Sequence, residues 1–275
     1  VMKDSIDAEA VMRAMDKAKL GYLRTKNDES REFVHILAKA ESDPTGYVRG
    51  RRNAMNEDSD INHTRHARAV VGGGGKTSLI YRLNEELQAL GKKVIISTTT
   101  HMAFDPMLPR IGSDELDKLP KMLENHGFAA VADIEKTSGK MCSIEETKLK
   151  KLVSLCDVML IEADGARQKP VKVPAKWEPM IPDFADVVVS VIGLDCLGKP
   201  ICEAAHRAEY TSSFLQKKLD APITAEDIEK IAVSVHGLYK RVDQKIYRVY
   251  LNKADVLSSV APAEHIIEDL AKQGT

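Results

Sequence analysis

Val70-Val71-Gly72-Gly73-Gly74-Gly75-Lys76-Thr77 is the stretch that decides the fold of this chain. Consecutive glycines let a backbone approach an anion closely and turn its N–H groups toward it. The helix expected next points its positive end at the same place. In this register Gly72, Gly73, Gly74 and Gly75 cradle phosphate oxygens and Lys76 reaches the β- and γ-phosphates. The Thr77 hydroxyl ligates Mg²⁺, and Ser78 adds a contact at the helix start. The common form of such a loop has a glycine where Val70 stands. The plain alternative is a glycine-rich turn before a helix.

The downstream context suits the cradle. Leu79, Ile80, Leu83, Leu87 and Leu90 recur at helical spacing, and Gly91 follows as a helix stop. Val94-Ile95-Ile96 reads as a buried strand running into Ser97-Thr98-Thr99-Thr100-His101, which completes a βαβ unit. Upstream, His66-Ala67-Arg68-Ala69-Val70-Val71 reads as a poor strand. Further strands are expected at Phe128–Ala132, Asp157–Ile161, Asp186–Ile192 and Tyr247–Leu251. Helices are expected at Ile144–Leu155, from the N-cap Thr224 through Ile231, and at Ala263–Lys272. Near-continuous apolar strands alternating with helices predict an α/β protein. Its mostly parallel central sheet is covered on both faces, a three-layer fold of the P-loop NTPase kind.

Four apolar residues, Val158-Met159-Leu160-Ile161, end in Glu162-Ala163-Asp164-Gly165. Acids at the C-terminal edge of such a strand lie in the crevice where open α/β sheets bind ligands. Glu162 and Asp164 are therefore read as catalytic acids and Mg²⁺ holders, with Lys76 and Thr77 opposite. Thr99, after the second strand, is a further candidate for Mg²⁺ or the γ-phosphate, the alternative being a simple strand continuation. Asn252-Lys253-Ala254-Asp255 has a guanine-reading pattern, because an Asp carboxylate accepts from two guanine N–H groups. It reads equally as a polar loop. The nucleoside triphosphate is GTP or ATP, with GTP favoured by Asn252 and Asp255.

The loops Arg167–Pro182 and Gly193–Arg207 are dense in proline and glycine and are assigned to a second substrate or partner. Arg167, Lys199, His206 and Arg207 are the candidate contacts. Cys196, Cys202 and His206 match no common zinc spacing and read as loop residues. Trp177 is open between a packed and a substrate-facing role.

A formal net charge of −1 gives no reason to expect nucleic acid or an anionic membrane as partner. No apolar run approaches the ~20 residues of a membrane span. The four cysteines show no paired framework, and the expected compartment is the reducing cytosol. Residues 1–52 are charged and expected to be helical, with residues 53–275 as the nucleotide-binding unit. Asn53-Ala54-Met55 looks like the scar a tag leaves before an initiator Met, which would make residues 1–52 a displaced segment or fusion; chance is the alternative. The last helix is followed by no final strand, so the C-terminus is expected to be incomplete.

Several loops then match one family in order. They are Gly72–Thr77, Thr98–His101, Glu162-Ala163-Asp164-Gly165-Ala166-Arg167, Glu178-Pro179-Met180-Ile181-Pro182, Gly193–Pro200 and His206-Arg207. Over roughly residues 68–257 the chain resembles the YqeC-like accessory proteins of selenium-dependent molybdenum hydroxylases. In these the glycine loop also lacks its first glycine. The resemblance implies a P-loop protein that helps mature a molybdenum hydroxylase, so that enzyme or its cofactor is the implied partner. The weak pre-loop strand and residues 1–52 depart from the family. The combined expectation is Mg²⁺-dependent nucleotide binding with hydrolysis. The alternatives are a small-molecule kinase or nucleotidyltransferase, and a non-catalytic nucleotide-gated chaperone. Oligomeric state is not legible.

Overall fold

The computed structural model describes residues 66–272 together with two short strands, β1 (Gly21–Tyr22) and β2 (His35–Ile36), which pair antiparallel. Those strands stand where the sequence predicts helix, and their backbones pair across a sheet register instead. The rest of the expected helical segment and the Asn53-Ala54-Met55 junction lie outside the described residues.

The main body is a seven-stranded sheet. Its strands in chain order are β3 (His66–Gly72), β4 (Val94–Thr98), β6 (Arg110–Ile111), β7 (Phe128–Val131), β10 (Val158–Glu162), β12 (Val187–Gly193) and β14 (Ile246–Asn252). They lie in the order β14-β12-β3-β10-β4-β7-β6, and every pairing is parallel. β4, β10 and β12 are buried along their whole length, the condition that makes a parallel strand read as one apolar run. β3 is as deeply buried, although its sequence made a poor strand: Ala67, Ala69, Val70 and Val71 are wholly enclosed and Arg68 nearly so. Strand propensity is mostly a matter of fit to neighbours, and β3 is hydrogen-bonded on both edges, by β10 and β12.

Side-chain alternation sends residues to two faces. Val70, Ile96, Leu160 and Val189 meet Leu79, Ile80, Leu83 and Leu87 of helix α1 (Lys76–Ala89). The opposite face is covered in two halves. Ile95, Met159 and Ile161 pack on α2 (Leu119–His126) and α3 (Glu146–Leu152). Val188, Val249 and Leu251 pack on α6 (Ala225–Val233) and α7 (Ala261–Lys272). The expected helix at Ile144–Leu155 is shorter than predicted: it starts at Glu146, and Val153–Leu155 is a tighter 3-10 turn. α6 opens with the expected capping box, in which Asp227 N–H donates to Thr224 Oγ1 and Thr224 N–H donates to Asp227 Oδ2.

Two small sheets sit on this frame. β5 (His101–Met102), β8 (Asp133–Ile134) and β9 (Met141–Cys142) form an antiparallel trio. β11 (Val171–Lys172) pairs in parallel with β13 (Ala205–His206), between the short helix α4 (Ile201–Ala204) and α5 (Ala208–Leu215). β10 lies between β3 and β4, while β12 and β14 lie on β3's other side, so the strand order reverses at β3. Ligands of open α/β sheets bind at the carboxyl ends of the strands beside such a reversal.

Candidate functional site

The glycine loop leaves β3 at that reversal. Gly72 and Gly74 have φ of +90° and +81°, and a Cβ on either would lie 2.3 Å from Val191 O or 2.2 Å from Gly193 N. Only glycine fits the loop between the Lys169–Pro170 and Val191–Gly193 segments. Gly73 N–H donates to Val191 O (2.8 Å) and Gly74 N–H to Lys169 O (2.9 Å). From the other side Asn252 Nδ2 donates to Gly74 O (2.7 Å). The loop is thus clamped by the ends of β12 and β14 and by the segment just before β11 (Val171–Lys172). α1 then starts with no side-chain cap and no acid in its first turn. Its first N–H groups have no intrahelical acceptor and face the cleft with the positive end of the helix dipole.

The charged floor lies directly below. Lys76 Nζ donates to Gly72 O (2.9 Å) and lies 3.8 Å from Glu162 and 3.5 Å from Asp164. Thr77 Oγ1 donates to Glu162 Oε2 (2.7 Å). Asp164 Oδ2 accepts Gly72 N–H (3.1 Å), and its Oδ1 has no hydrogen-bond partner. Burial pushes the Glu162 carboxyl up, against the opposing pull of Lys76 and the Thr77 hydroxyl. The two acids therefore differ in role. Glu162 holds the helix-start hydroxyl, and Asp164 holds the backbone of the loop.

A second charged layer forms the far wall. The buried Lys172 ammonium bridges Asp164 Oδ2 (3.3 Å), Gly165 O (2.7 Å) and Glu178 Oε2 (2.7 Å). Arg207 also donates to Glu178 Oε2 (2.6 Å), and its guanidinium lies 5.4 Å from the Trp177 ring centroid. Burial alone would raise the Glu178 carboxyl, but the Arg207 and Lys172 hydrogen bonds bring it down to about 2. His206, half of the β11–β13 ladder, is held down to about 4 by burial and by Lys172 and Arg207. Arg167, Gln168 and Arg207 all have positive φ, which concentrates backbone strain on this wall.

The resulting cleft has a volume of about 770 Å³. Of the residues singled out in the sequence, Gly74, Gly75, Lys76, Thr77, Ser78, Glu162, Arg167, His206 and Arg207 line it. Gly72, Gly73 and Asp164 lie beneath the lining. Thr99 is turned away, its hydroxyl donating to Met180 O (2.7 Å), and Thr100 lines the cleft in its place. Asn252 is committed to the loop, Asp255 sits in the 3-10 turn after β14, and Lys199 is exposed; none of these three lines the cleft. Lys253 does, paired with Asp195 (2.8 Å). Sequence reasoning passed over Glu178 as a site residue. The only signal was an acid inside a proline-rich loop, and its value depends on Lys172, six residues before it, and on Arg207 from a distant segment. Cys196 is buried apart from Cys202, which is exposed.

Residues 68–209 match the family described as YqeC protein, and residues 1–75 match the amidohydrolase ring-opening proteins. The chain is 32% identical over 218 residues to the uncharacterized protein YqeC of Escherichia coli K12, covering 74% of this chain and 81% of that relative. Over 73 residues it is 53% identical to a cyanuric acid amidohydrolase of Bradyrhizobium diazoefficiens, which is 26% of this chain and 20% of that enzyme. The corresponding enzyme of Pseudonocardia dioxanivorans is 47% identical over 73 residues, 26% of this chain and 19% of that enzyme. The chain thus spans about a fifth of the length of these amidohydrolases. No solved structure matches the chain significantly.

Proposed function

The chain belongs to the YqeC family, and from that premise and the cleft we propose that it binds a nucleoside triphosphate with Mg²⁺ and hydrolyses it. The observation that carries the reading is the clamped glycine loop at the strand-order reversal, with Lys76 held over an acid pair and an uncapped helix start facing the cleft. The proposal rests on residues 68–272, which overlap the amidohydrolase-like match only at residues 68–75.

In this reading the first N–H groups of α1 bind the phosphates, and Lys76 exchanges Gly72 O for phosphate oxygens. The donor set suits Mg²⁺: Thr77 Oγ1 and the Glu162 carboxylate are hard oxygens already 2.7 Å apart. When bound, Mg²⁺ would neutralise charge on the β- and γ-oxygens. Asp164, bonded to Gly72 N–H beneath the lining, acts as a positioning residue for the loop. Positioning and fixed charge supply most of the rate in such chemistry.

A second reading, transfer to a small anionic acceptor, is favoured by the wall of Arg167, Lys169 and Arg207 beside the exposed Trp177. Free phosphate as product supports hydrolysis, and a phosphorylated or nucleotidylated acceptor supports transfer. A role in molybdenum hydroxylase maturation is proposed from the family resemblance alone.

Lys76→Ala tests the core of the proposal. Losing a charge-assisted contact to phosphate is worth about 2–4 kcal/mol, roughly 30- to 1,000-fold in affinity. Calorimetry with GTP and ATP in Mg²⁺ should show that loss while circular dichroism shows an intact fold. Unchanged affinity for both nucleotides removes the assignment.

A further inference from the structure

On the body of the protein away from the cleft, α6 and α7 bring together Glu229, His265 and Asp269. One ligand atom from each lies within 4.8 Å of the others. We infer that these three side chains form a separate metal site that takes a zinc-type divalent ion and clamps α7 onto α6.

The sequence sets this up through helical spacing. Ala263, Ile266, Ile267 and Leu270 bury one face of α7. His265 and Asp269, four residues apart, stand side by side on the adjoining face, with Nε2 3.4 Å from Oδ2. Lys272 engages the other Asp269 oxygen (2.7 Å), which leaves Oδ2 for the His265 side. Glu229 comes from the facing helix. It is only 9% exposed, and its Oε1 is buried with no hydrogen-bond partner. A buried carboxylate oxygen without a donor is costly. A cation bound between the helices answers both the missing donor and the repulsion between the Glu229 and Asp269 carboxylates.

The donor chemistry selects the ion. One imidazole nitrogen and two carboxylate oxygens suit Zn²⁺, whereas Mg²⁺ and Ca²⁺ prefer all-oxygen shells. Three protein ligands leave a fourth position for water. His265 is 58% exposed and gives the ion a way in from solvent.

The test is Zn²⁺ titration of the EDTA-stripped full chain by calorimetry, without nucleotide, on the parent and on His265→Ala and Glu229→Gln. The expected result is saturable binding that each substitution weakens at least about 10-fold. Saturating Zn²⁺ should also raise Tm by about 5 °C in the parent but in neither variant. His265→Ala alters an exposed side chain, so its Tm in EDTA should match the parent, and its affinity for GTP or ATP should be unchanged. That arm keeps the zinc result separate from the nucleotide reading. Absence of Zn²⁺ binding, or equal binding in parent and both variants, overturns the inference. So does a Tm that rises in Glu229→Gln while Zn²⁺ leaves the parent unmoved, since a proton then satisfies the carboxyl.

Discussion

Replacing Asp164 by Asn preserves its shape and removes one charge from a fully buried position. The hydrogen-bond and ion-pair partners of Asp164 are all donors. Gly72 N–H (3.1 Å) and the Lys172 ammonium (3.3 Å) face Oδ2, and the Lys76 ammonium (3.5 Å) faces Oδ1. An Asn side chain has one acceptor and one NH₂, so either orientation turns that NH₂ toward a donor. The buried network holds Glu162, Asp164 and Glu178 against Lys76, Lys172 and Arg207. The substitution leaves it one positive charge in excess. Breaking a buried pair by removing one partner costs about 3–5 kcal/mol. Lys172 retains Glu178 and Gly165 O, and Lys76 retains Glu162 and Gly72 O, so the low end applies. A loss of about 3 kcal/mol should lower the urea midpoint by roughly 1–2 M. Glu162→Gln should cost less than Asp164→Asn, because burial already pushes its carboxyl up and an amide oxygen can still accept from Thr77. Its effect should fall on the Mg²⁺ requirement for nucleotide binding. If Asp164→Asn unfolds within about 0.5 kcal/mol of the parent, or Glu162→Gln is the costlier change, the division of labour between the two acids is wrong.

Two further outcomes follow from the same wall and loop. His206 is held down to about 4 against an ordinary 6.5, so the unfolded chain takes up its proton first and stability falls as pH drops through that window. Glu178, held down to about 2 against 4.5, contributes stability above pH 4.5 that is lost toward pH 2. Tm against pH should therefore fall in two stages, the upper one flattened by His206→Gln and the lower one by Arg207→Met. A profile unchanged by both substitutions contradicts the charge layout of the wall. GTP should displace a labelled nucleotide better than ATP, a preference that requires the base to extend past the cleft lining to Asp255, because the Asn252 amide is spent on Gly74 O. If Asp255→Asn leaves the ratio of the two affinities unchanged, the base is read elsewhere.

The sequence by itself determined the features that depend on neighbouring residues. Glycine freedom marked the loop, apolar runs marked the buried strands β4, β10, β12 and β14, and Thr224 with Asp227 marked the start of α6. Each is set by local spacing, which the chain carries in one dimension. What only the tertiary structure decided depends on strand order. β3 became a central strand because β10 and β12 hydrogen-bond both of its edges, although its alanines and Arg68 gave it little strand character. Asn252 became a loop brace because β14 ends beside Gly74, 178 residues away in sequence. Glu178 gained its weight because β11 and the chain after β13 deliver Lys172 and Arg207 to one carboxylate oxygen. Charge pairing acts over a few ångströms and is blind to sequence separation, so these roles existed only once the sheet had fixed which distant segments meet.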